Sequence, residues 1–512
     1  MNGIYLFLIL LISWLLIIFY LRPYIKKSKN FSVYGPALML KFTKNRKVID
    51  KIAKRFPAIS FSKISVVIIF IFSILALGML AYSAYIATFL RPSMAPPLTE
   101  LIALPGINPV IPIGYGIAAL VISVVIHEMM HGITAKKHGM NLQSVGALFL
   151  IVPIGAFVEP SEEEMNRADP IVRRRVFAAG PGINIILGIL FAVIISVGFF
   201  AGAQPIHQGI YIESSSPLTI PGIDIGDEII SLNGTSGTAI YSLFENPTFA
   251  PGDNLSVGVF NGKSTYKTNV YAGVVIDSTI SGYPAQNISS GTIIKSINGS
   301  IIYNITSLNN VLNGIKPGSK INITILKQEN GNSLKGINYN ITTVSKYSYY
   351  EKYDPLYAES AYKNQSFIGV TVSYIGITGD PISDLKSVIF MNNFYSDPVD
   401  GFIESIGLPF YGLSPVPVSL ADMFSVPFSP ILFWGMVNFF YWMFWINILL
   451  GITNALPFFV FDGGQFYRDT FAIAGKRFKF FSNDKHIYAI MYVLSLIVFI
   501  LILWEIIVPR II

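Results

Sequence analysis

Six long stretches of apolar residues, almost free of charge, divide the chain into spans and loops. A helix needs about 20 such residues to cross the hydrocarbon core of a bilayer. The pattern therefore predicts six membrane-spanning helices, within residues 3–21, 64–90, 113–134, 176–201, 429–453 and 487–504. A cleaved signal peptide is the alternative for 3–21, but no basic residue precedes it and no small-residue cleavage site follows. We expect an anchor there.

Residues 139–158 are also uncharged, but Pro153 and several glycines interrupt them. Irregular backbone is tolerated at membrane depth only where protein or a water-filled cavity satisfies its polar groups. We therefore expect a short hairpin or re-entrant segment. The predicted fold class is a polytopic α-helical membrane protein of about six transmembrane helices with this re-entrant or short β segment, and with an α+β region inserted between residues 203 and 428.

Charge supports this reading and sets an orientation. Only 13% of the 512 residues are charged, and the net charge is +7. A basic balance can indicate nucleic acid or a membrane surface. Here twelve Lys and Arg lie within residues 22–63, beside the spans, so we expect a bilayer and no nucleic acid. The positive-inside rule makes 22–63, 136–175 and 472–486 cytoplasmic and 203–428 exterior.

The exterior region contains two similar stretches, GDEIISLNGT from Gly226 and GTIIKSINGS from Gly291. Both resemble PDZ domains, and the resemblance implies two in tandem that bind peptide termini. The alternative is a spacer or plug without a ligand. The region also carries Asn-x-Ser/Thr sequons, which mark the surface of exported segments. They begin at Asn233, Asn254, Asn287, Asn298, Asn304, Asn322, Asn340 and Asn364.

The third span ends with the sequence HEMMH, in which His127 and His131 are one helical turn apart. Two imidazoles at this spacing lie on one face and can bind one zinc ion, and Glu128 is placed to take a proton from a water on it. Charged and polar groups at the end of an apolar span are costly unless they have a function. The chain has no cysteine, so His and carboxylates must supply every ligand.

A zinc site needs a third protein ligand, and a catalytic site leaves the fourth position open. His138 is seven residues beyond His131 but lies beside Lys136 and Lys137. Asp462 ends a charge-free run, and Pro457 before it breaks the helix so that the backbone can turn toward the metal. Asp462 is the better candidate, although it could instead cap a helix at the membrane surface.

The motif H-E-x-x-H on one span, with N-x-x-P-x-x-x-x-D-G from Asn454 on a later one, resembles the site-2 protease family of intramembrane metalloproteases. The stretches PIGAFVE at 153–159 and AGPGIN at 179–184 are similar to further motifs of that family. The resemblance covers roughly residues 110–475. It implies that His127, His131 and Asp462 hold Zn2+ and that Glu128 is the general base and then the acid.

The same resemblance implies finer roles for other residues. Asn454 would steady the substrate backbone or the oxyanion, and Pro181 and Asn184 would shape the helix beside the site. The substrates would be transmembrane proteins, cut after a first cleavage by another protease, with the PDZ domains gating access. The alternatives are a catalytically silent PDZ receptor or tether, and a zinc transporter.

The predicted organisation has seven parts. They are an N-terminal transmembrane pair with a basic loop (1–110), the first part of the catalytic core (111–202), two PDZ-like domains (203–285 and 286–378), a connecting segment (379–428), the second part of the core (429–475) and a C-terminal transmembrane helix (476–512).

Overall fold

A computed structural model describes residues 3–511 apart from 29, 35–36, 43–45, 91, 93–94, 102, 151, 216–221 and 330–332. The helices are α1 (Gly3–Lys27), α2 (Arg46–Arg55), α3 (Ala58–Ala87), α4 (Ile113–Lys137), α5 (Glu162–Arg167), α6 (Pro170–Val193), α7 (Phe200–Gly202), α8 (Ala239–Glu245), α9 (Ile305–Asn313), α10 (Lys346–Tyr353), α11 (Ile382–Ile389), α12 (Pro398–Gly407), α13 (Val418–Ala421), α14 (Pro430–Ala455), α15 (Asp462–Ala474) and α16 (Asp484–Ile511).

The strands are β1 (Phe31–Tyr34), β2 (Ala37–Phe42), β3 (Leu142–Leu150), β4 (Val152–Pro160), β5 (Gln204–Pro205), β6 (Ile210–Ser215), β7 (Glu228–Leu232), β8 (Thr235–Ser236), β9 (Asn254–Phe260), β10 (Thr265–Tyr271), β11 (Val274–Thr279), β12 (Thr292–Ile297), β13 (Ser300–Ile301), β14 (Lys320–Gln328), β15 (Leu334–Thr342), β16 (Val344–Ser345), β17 (Ser366–Phe367), β18 (Val370–Tyr374), β19 (Ile377–Pro381) and β20 (Phe424–Ser425).

The chain forms two compact units. The helical unit comprises residues 1–196 and 435–512, and the β unit comprises residues 197–434. Within the described residues, five helices are long and apolar enough to cross a membrane: α3, α4, α6 with its continuation to Gly202, α14 and α16. The protein is therefore a multi-pass membrane protein with a large β region. The first predicted span falls in α1, whose side chains before Ile12 lie outside the described residues, so the count of six stays a prediction.

Small residues let the helices of the helical unit approach closely. A Cβ on Gly182 of α6 would lie 2.5 Å from the Ser65 hydroxyl of α3, and one on Gly188 would lie 2.6 Å from Ile448 of α14. Glycines at such positions permit tight helix packing in a membrane, where no hydrophobic effect drives association. As a result, α6 packs against α3, α4 and α15 and lies centrally in this unit.

A four-stranded antiparallel sheet, in the order β1-β2-β3-β4, completes the helical unit. The predicted hairpin within 139–158 is confirmed as β3 and β4. Strands β1 and β2, within the basic loop 22–63, were not predicted, nor was the pairing of β2 with β3. The β4 strand lies at the edge of this sheet and packs against α4, where a Cβ on Gly132 would lie 2.4 Å from Val158.

The β unit contains a long sheet in the order β10-β9-β7-β6-β19-β18-β11-β12-β14-β15. The two similar sequence stretches each form a strand, an Asn-Gly turn and a second strand. Asn233 and Asn298 have φ of 47° and 50°, and the glycines after them are also positive, as in the tight hairpin turns favoured by Asn-Gly. These stretches thus adopt the same local structure.

Among its described residues, the β unit has two main hydrophobic cores. One contains residues between 212 and 272 together with Tyr374, Ile375 and Ile377. The other contains residues between 274 and 368. The first core is therefore completed by strands that follow the second core in sequence, since β19 pairs with β6. The predicted boundary at 285/286 stays a prediction.

Candidate metal centre

Three side chains converge in the helical unit. His127 and His131 project from the same face of α4, and both are more than 90% buried. Their Nε2 atoms lie 3.1 Å apart. Asp462, from α15, brings its Oδ2 to 3.0 Å from Nε2 of His127 and 3.1 Å from Nε2 of His131. Residues 335 positions apart in the chain thus place three potential metal ligands around one point.

Local sequence explains how Asp462 reaches this point. Helix α14 ends at Ala455, two residues before Pro457, as the steric restriction on residues before proline leads us to expect. Helix α15 then begins at Asp462. A Cβ on Gly463 would lie 2.3 Å from the carbonyl oxygen of Leu456, so only glycine lets α15 start this close to the preceding turn.

The arrangement fits a tetrahedral metal ion. Zinc bonds of about 2.0–2.1 Å place adjacent ligand atoms about 3.3–3.4 Å apart. The three separations of 3.0–3.1 Å are within about 0.3 Å of that value. Two imidazoles and one carboxylate form the donor set, which suits zinc and leaves one position for water or substrate. These three residues could therefore hold a metal ion.

The other ring nitrogen of His131 is held by the backbone. Its Nδ1 donates a hydrogen bond to the carbonyl oxygen of Val176 on α6, at 2.7 Å. The proton is then on Nδ1, and Nε2 keeps its lone pair toward Asp462 and His127. Metal-binding histidines are commonly oriented by such a hydrogen bond.

The second nitrogen of His127 faces Asn184, a fully buried residue of α6. The distance from the Asn184 amide to Nδ1 is 3.1 Å. With the amide nitrogen on that side, the Asn184 oxygen is buried without a hydrogen-bond partner. Rotating the amide by 180° puts the oxygen there instead, where it accepts the Nδ1 proton and leaves Nε2 of His127 free to bind metal.

Gly180 lies directly against the two imidazoles. A Cβ at this position would be 2.3 Å from Nε2 of His131 and 2.6 Å from Nε2 of His127. Any side chain here would displace the two nitrogens that face Asp462. Gly180 and Asn184 are one turn apart on α6, so one face of this helix contacts both histidines. Gly180 belongs to the stretch AGPGIN, but nothing in the sequence indicated that it contacts the two histidines.

A buried ion pair holds α15 against α6. The carboxylate of Asp469, two turns after Asp462, is fully buried and accepts hydrogen bonds from Arg173 of α6, the shortest being 2.8 Å. Arg468 also donates to it. Removing one partner of a buried pair leaves an uncompensated charge and is strongly destabilising. This pair therefore fixes the position of α15, and with it that of Asp462.

Glu128 follows His127 on α4 and is half-buried. Its Oε2 accepts a hydrogen bond of 3.3 Å from the backbone N–H of Val158 in the edge strand β4. The carboxylate is thus adjacent to the three converging residues but is not among them. It also lies beside the free edge of a strand, where backbone groups can pair with another extended chain.

The remaining predicted residues have structural contacts. Asn454 lies in the last turn of α14, where its amide donates to the carbonyl oxygen of Leu450 at 3.0 Å. Pro181 is buried inside α6. His138, the alternative third ligand, ends α4 and is not part of the group of converging ligands.

Comparison with known proteins shows the family of the chain. An uncharacterised protein of Methanocaldococcus jannaschii is 37% identical over 126 residues, which are 24% of this chain and 33% of that protein. The chain thus spans about one third of the length of this relative. The profile of peptidase family M50 matches residues 115–498, three quarters of the chain, from α4 with the two histidines through Asp462 to α16. The chain therefore belongs to peptidase family M50, the site-2 protease family.

Proposed function

We propose that the protein is a zinc endopeptidase that hydrolyses peptide bonds within the transmembrane helices of other proteins. One observation carries this proposal: the ligand atoms of His127, His131 and Asp462 converge beside a helix that is apolar enough to span a bilayer. Membership of a peptidase family supports the reaction class. A zinc ion held by these three residues would polarise the scissile carbonyl and the attacking water.

Glu128 is the proposed proton carrier. Its carboxylate takes a proton from the attacking water as the carbon–oxygen bond forms. It then gives that proton to the amide nitrogen as the carbon–nitrogen bond breaks. The hydrogen bond from Val158 to Oε2 holds the carboxylate of Glu128 beside the ligands and leaves its Oε1 to accept the proton.

The substrate helix must unwind before this reaction, because its own hydrogen bonds cover the scissile peptide. An unwound stretch needs new partners for its N–H and C=O groups. The free edge of β4 supplies such partners, and Val158 places that edge next to Glu128. We assign this edge as the strand to which the substrate pairs.

The test of this function uses purified protein and a substrate with one transmembrane helix. The expected products, mapped by mass spectrometry, come from cleavage inside the apolar segment. The Glu128→Gln variant is the matched control and should yield none. Cleavage confined to residues outside the apolar segment would contradict an intramembrane protease. Zinc uptake by vesicles that contain the protein, with no cleavage, would favour a transporter.

We further propose that the β unit consists of two PDZ-like modules that gate access to the site. The two cores support two modules, with the second inserted into the first. The unit is inserted in the chain between α6 and α14, which belong to the same helical unit as the site. In our proposal this unit lies outside the cell, and it excludes substrates that have not been trimmed by an earlier cut.

A deletion tests the gating. Because β5 pairs with β20, residues 206 and 423 lie close together and a short linker can replace 206–423. A gate predicts that the shortened enzyme cuts untrimmed substrates. A receptor for trimmed ends predicts slower cutting of trimmed substrates instead. If the variant keeps its zinc and still rejects untrimmed substrates as the parent does, gating by this unit is wrong.

A further inference from the structure

Helix α2 lies within the basic loop 22–63, directly before the spanning helix α3, and is amphipathic. Ile49 and Ala53 on one face are buried in a core that also contains Met130 and Ile133 of α4. Lys51 and Arg55, one turn apart on the opposite face, are exposed. This division of faces is typical of a helix that lies along a membrane surface.

The helix is fixed in place rather than attached loosely. The ammonium group of Lys137, at the end of α4, donates to the carbonyl oxygen of Ala53 at 3.1 Å. Lys136 is 3.4 Å from the carboxylate of Asp50. Asp50 is the one acidic residue in the sequence from 22 to 63, and among the described ion pairs none includes Lys51 or Arg55. Helix α2 thus presents a preorganised positive surface.

A groove runs along this surface. It has a volume of about 380 Å3 and is lined by Lys51, Ile52, Arg55, Phe56 and Pro57. Its lining thus combines two cationic side chains with three apolar residues. Phe56 is anchored by an edge-on contact with Phe61 of α3, with ring centroids 5.4 Å apart. Such a groove matches a ligand with an anionic group joined to an apolar chain.

Its position relative to the span identifies the ligand. Pro57 precedes α3, and the uncharged run of that helix begins at Ile64, about 10 Å farther along the axis at 1.5 Å per residue. The polar headgroup region extends about 5–8 Å beyond the hydrocarbon core on each side, so the groove lies at the outer edge of the layer that contains the phosphates. Below the groove, Ile59 and Ile64 are exposed, so a hydrocarbon chain would find an apolar surface there.

We propose that this groove binds the phosphate of an anionic phospholipid. Lys51 and Arg55 contact the phosphate oxygens, Phe56 and Ile52 lie under the glycerol, and one hydrocarbon chain follows α3. A choline headgroup adds a positive charge beside the two cations, so the site favours a phospholipid with net negative charge.

Native mass spectrometry of the full-length protein in detergent tests this, with phosphatidylglycerol and phosphatidylcholine as probes. The parent should bind one phosphatidylglycerol in preference to phosphatidylcholine. The double variant Lys51→Ala/Arg55→Ala should bind phosphatidylglycerol about 30-fold more weakly, since each cation near the lipid phosphates strengthens binding about five- to sixfold. The double variant Lys479→Ala/Lys485→Ala removes the same charge from another basic loop and should bind within about threefold of the parent.

Folding is monitored by zinc content, and Arg55→Lys, which keeps the charge, should bind nearly as the parent does. Equal losses in the two double variants would show that only overall charge matters and would overturn the proposal. So would equal binding of the two lipids. Displacement of the lipid by millimolar inorganic phosphate would identify a free anion site instead, and this outcome also contradicts the proposal.

Discussion

Gly180 offers the sharpest test of the site geometry. Its replacement by alanine adds one methyl group, whose carbon would lie 2.3 Å from Nε2 of His131 and 2.6 Å from Nε2 of His127. Ordinary contact begins at about 3.5 Å, so the two rings must retreat by about 1 Å. Metal–ligand distances tolerate only about 0.2 Å. The methyl group therefore competes with the metal for the same space.

The expected loss follows from the cost of overpacking. If the rings stay in place, the strain is about 1–3 kcal/mol, which lowers zinc affinity about 5- to 150-fold. Alanine is a better helix former than glycine by about 1 kcal/mol, so α6 itself should form readily. Zinc content and competition with a chelator, measured on purified Gly180→Ala protein, report the loss directly.

Gly114→Ala is the matched control. Gly114 lies on α4, the helix that carries both histidines, and a Cβ there meets nothing within 4 Å. We expect this variant to bind zinc as the parent does. If Gly180→Ala retains the zinc affinity of the parent, then α6 does not pack against the ligand nitrogens as described, and the metal site must lie elsewhere.

Four further variants test individual side chains. Glu128→Gln should keep zinc but lose cleavage, because its carboxylate is beside the ligands and not among them; metal analysis and a cleavage assay check this, and residual activity would refute the proton role. Asp462→Ala should lose zinc and activity, since two histidines make a poor site, and full zinc occupancy would point to another third ligand. Asn184→Ala should lower zinc affinity about 10- to 100-fold, because His127 is then no longer held in the tautomer whose Nε2 binds metal. Chelator competition measures this affinity, and an unchanged value would exclude that role for Asn184. Burial raises the pKa of Glu228 from 4.5 to about 7, so the β unit should lose about 3 kcal/mol of stability as pH rises from 4.5 through 7; Glu228→Gln should flatten this dependence in thermal unfolding followed by circular dichroism, and an unchanged pH profile would contradict it.

Much of the helical unit could be predicted because its signals are local. Uncharged runs long enough to span a bilayer gave five confirmed helices, and the histidine spacing on α4 places both rings on one face whatever surrounds them. Pro153 and the neighbouring glycines indicated the hairpin. Asp462 could be predicted as a candidate ligand because a carboxylate at the end of a charge-free run is costly without a partner.

Long-range features could not be predicted in this way. The pairing of β2 with β3 joins residues about 100 positions apart, and the short apolar pattern of β2 does not specify a partner. The pairing of β19 with β6, which completes the first core of the β unit, likewise joins residues far apart in the sequence. Gly180 was missed because a glycine leaves no chemical trace of what approaches it. The sequons were a weak guide to orientation, since Asn30-Phe31-Ser32 forms another within the basic loop.

We propose that cleavage of a transmembrane helix requires a zinc ion held by His127, His131 and Asp462. This is measured as cleavage of a single-span substrate by the same purified preparation before chelation, after removal of zinc, and after zinc is returned. Cleavage should disappear with the metal and recover at about one zinc ion per chain. Undiminished cleavage by protein shown to be free of zinc would contradict it.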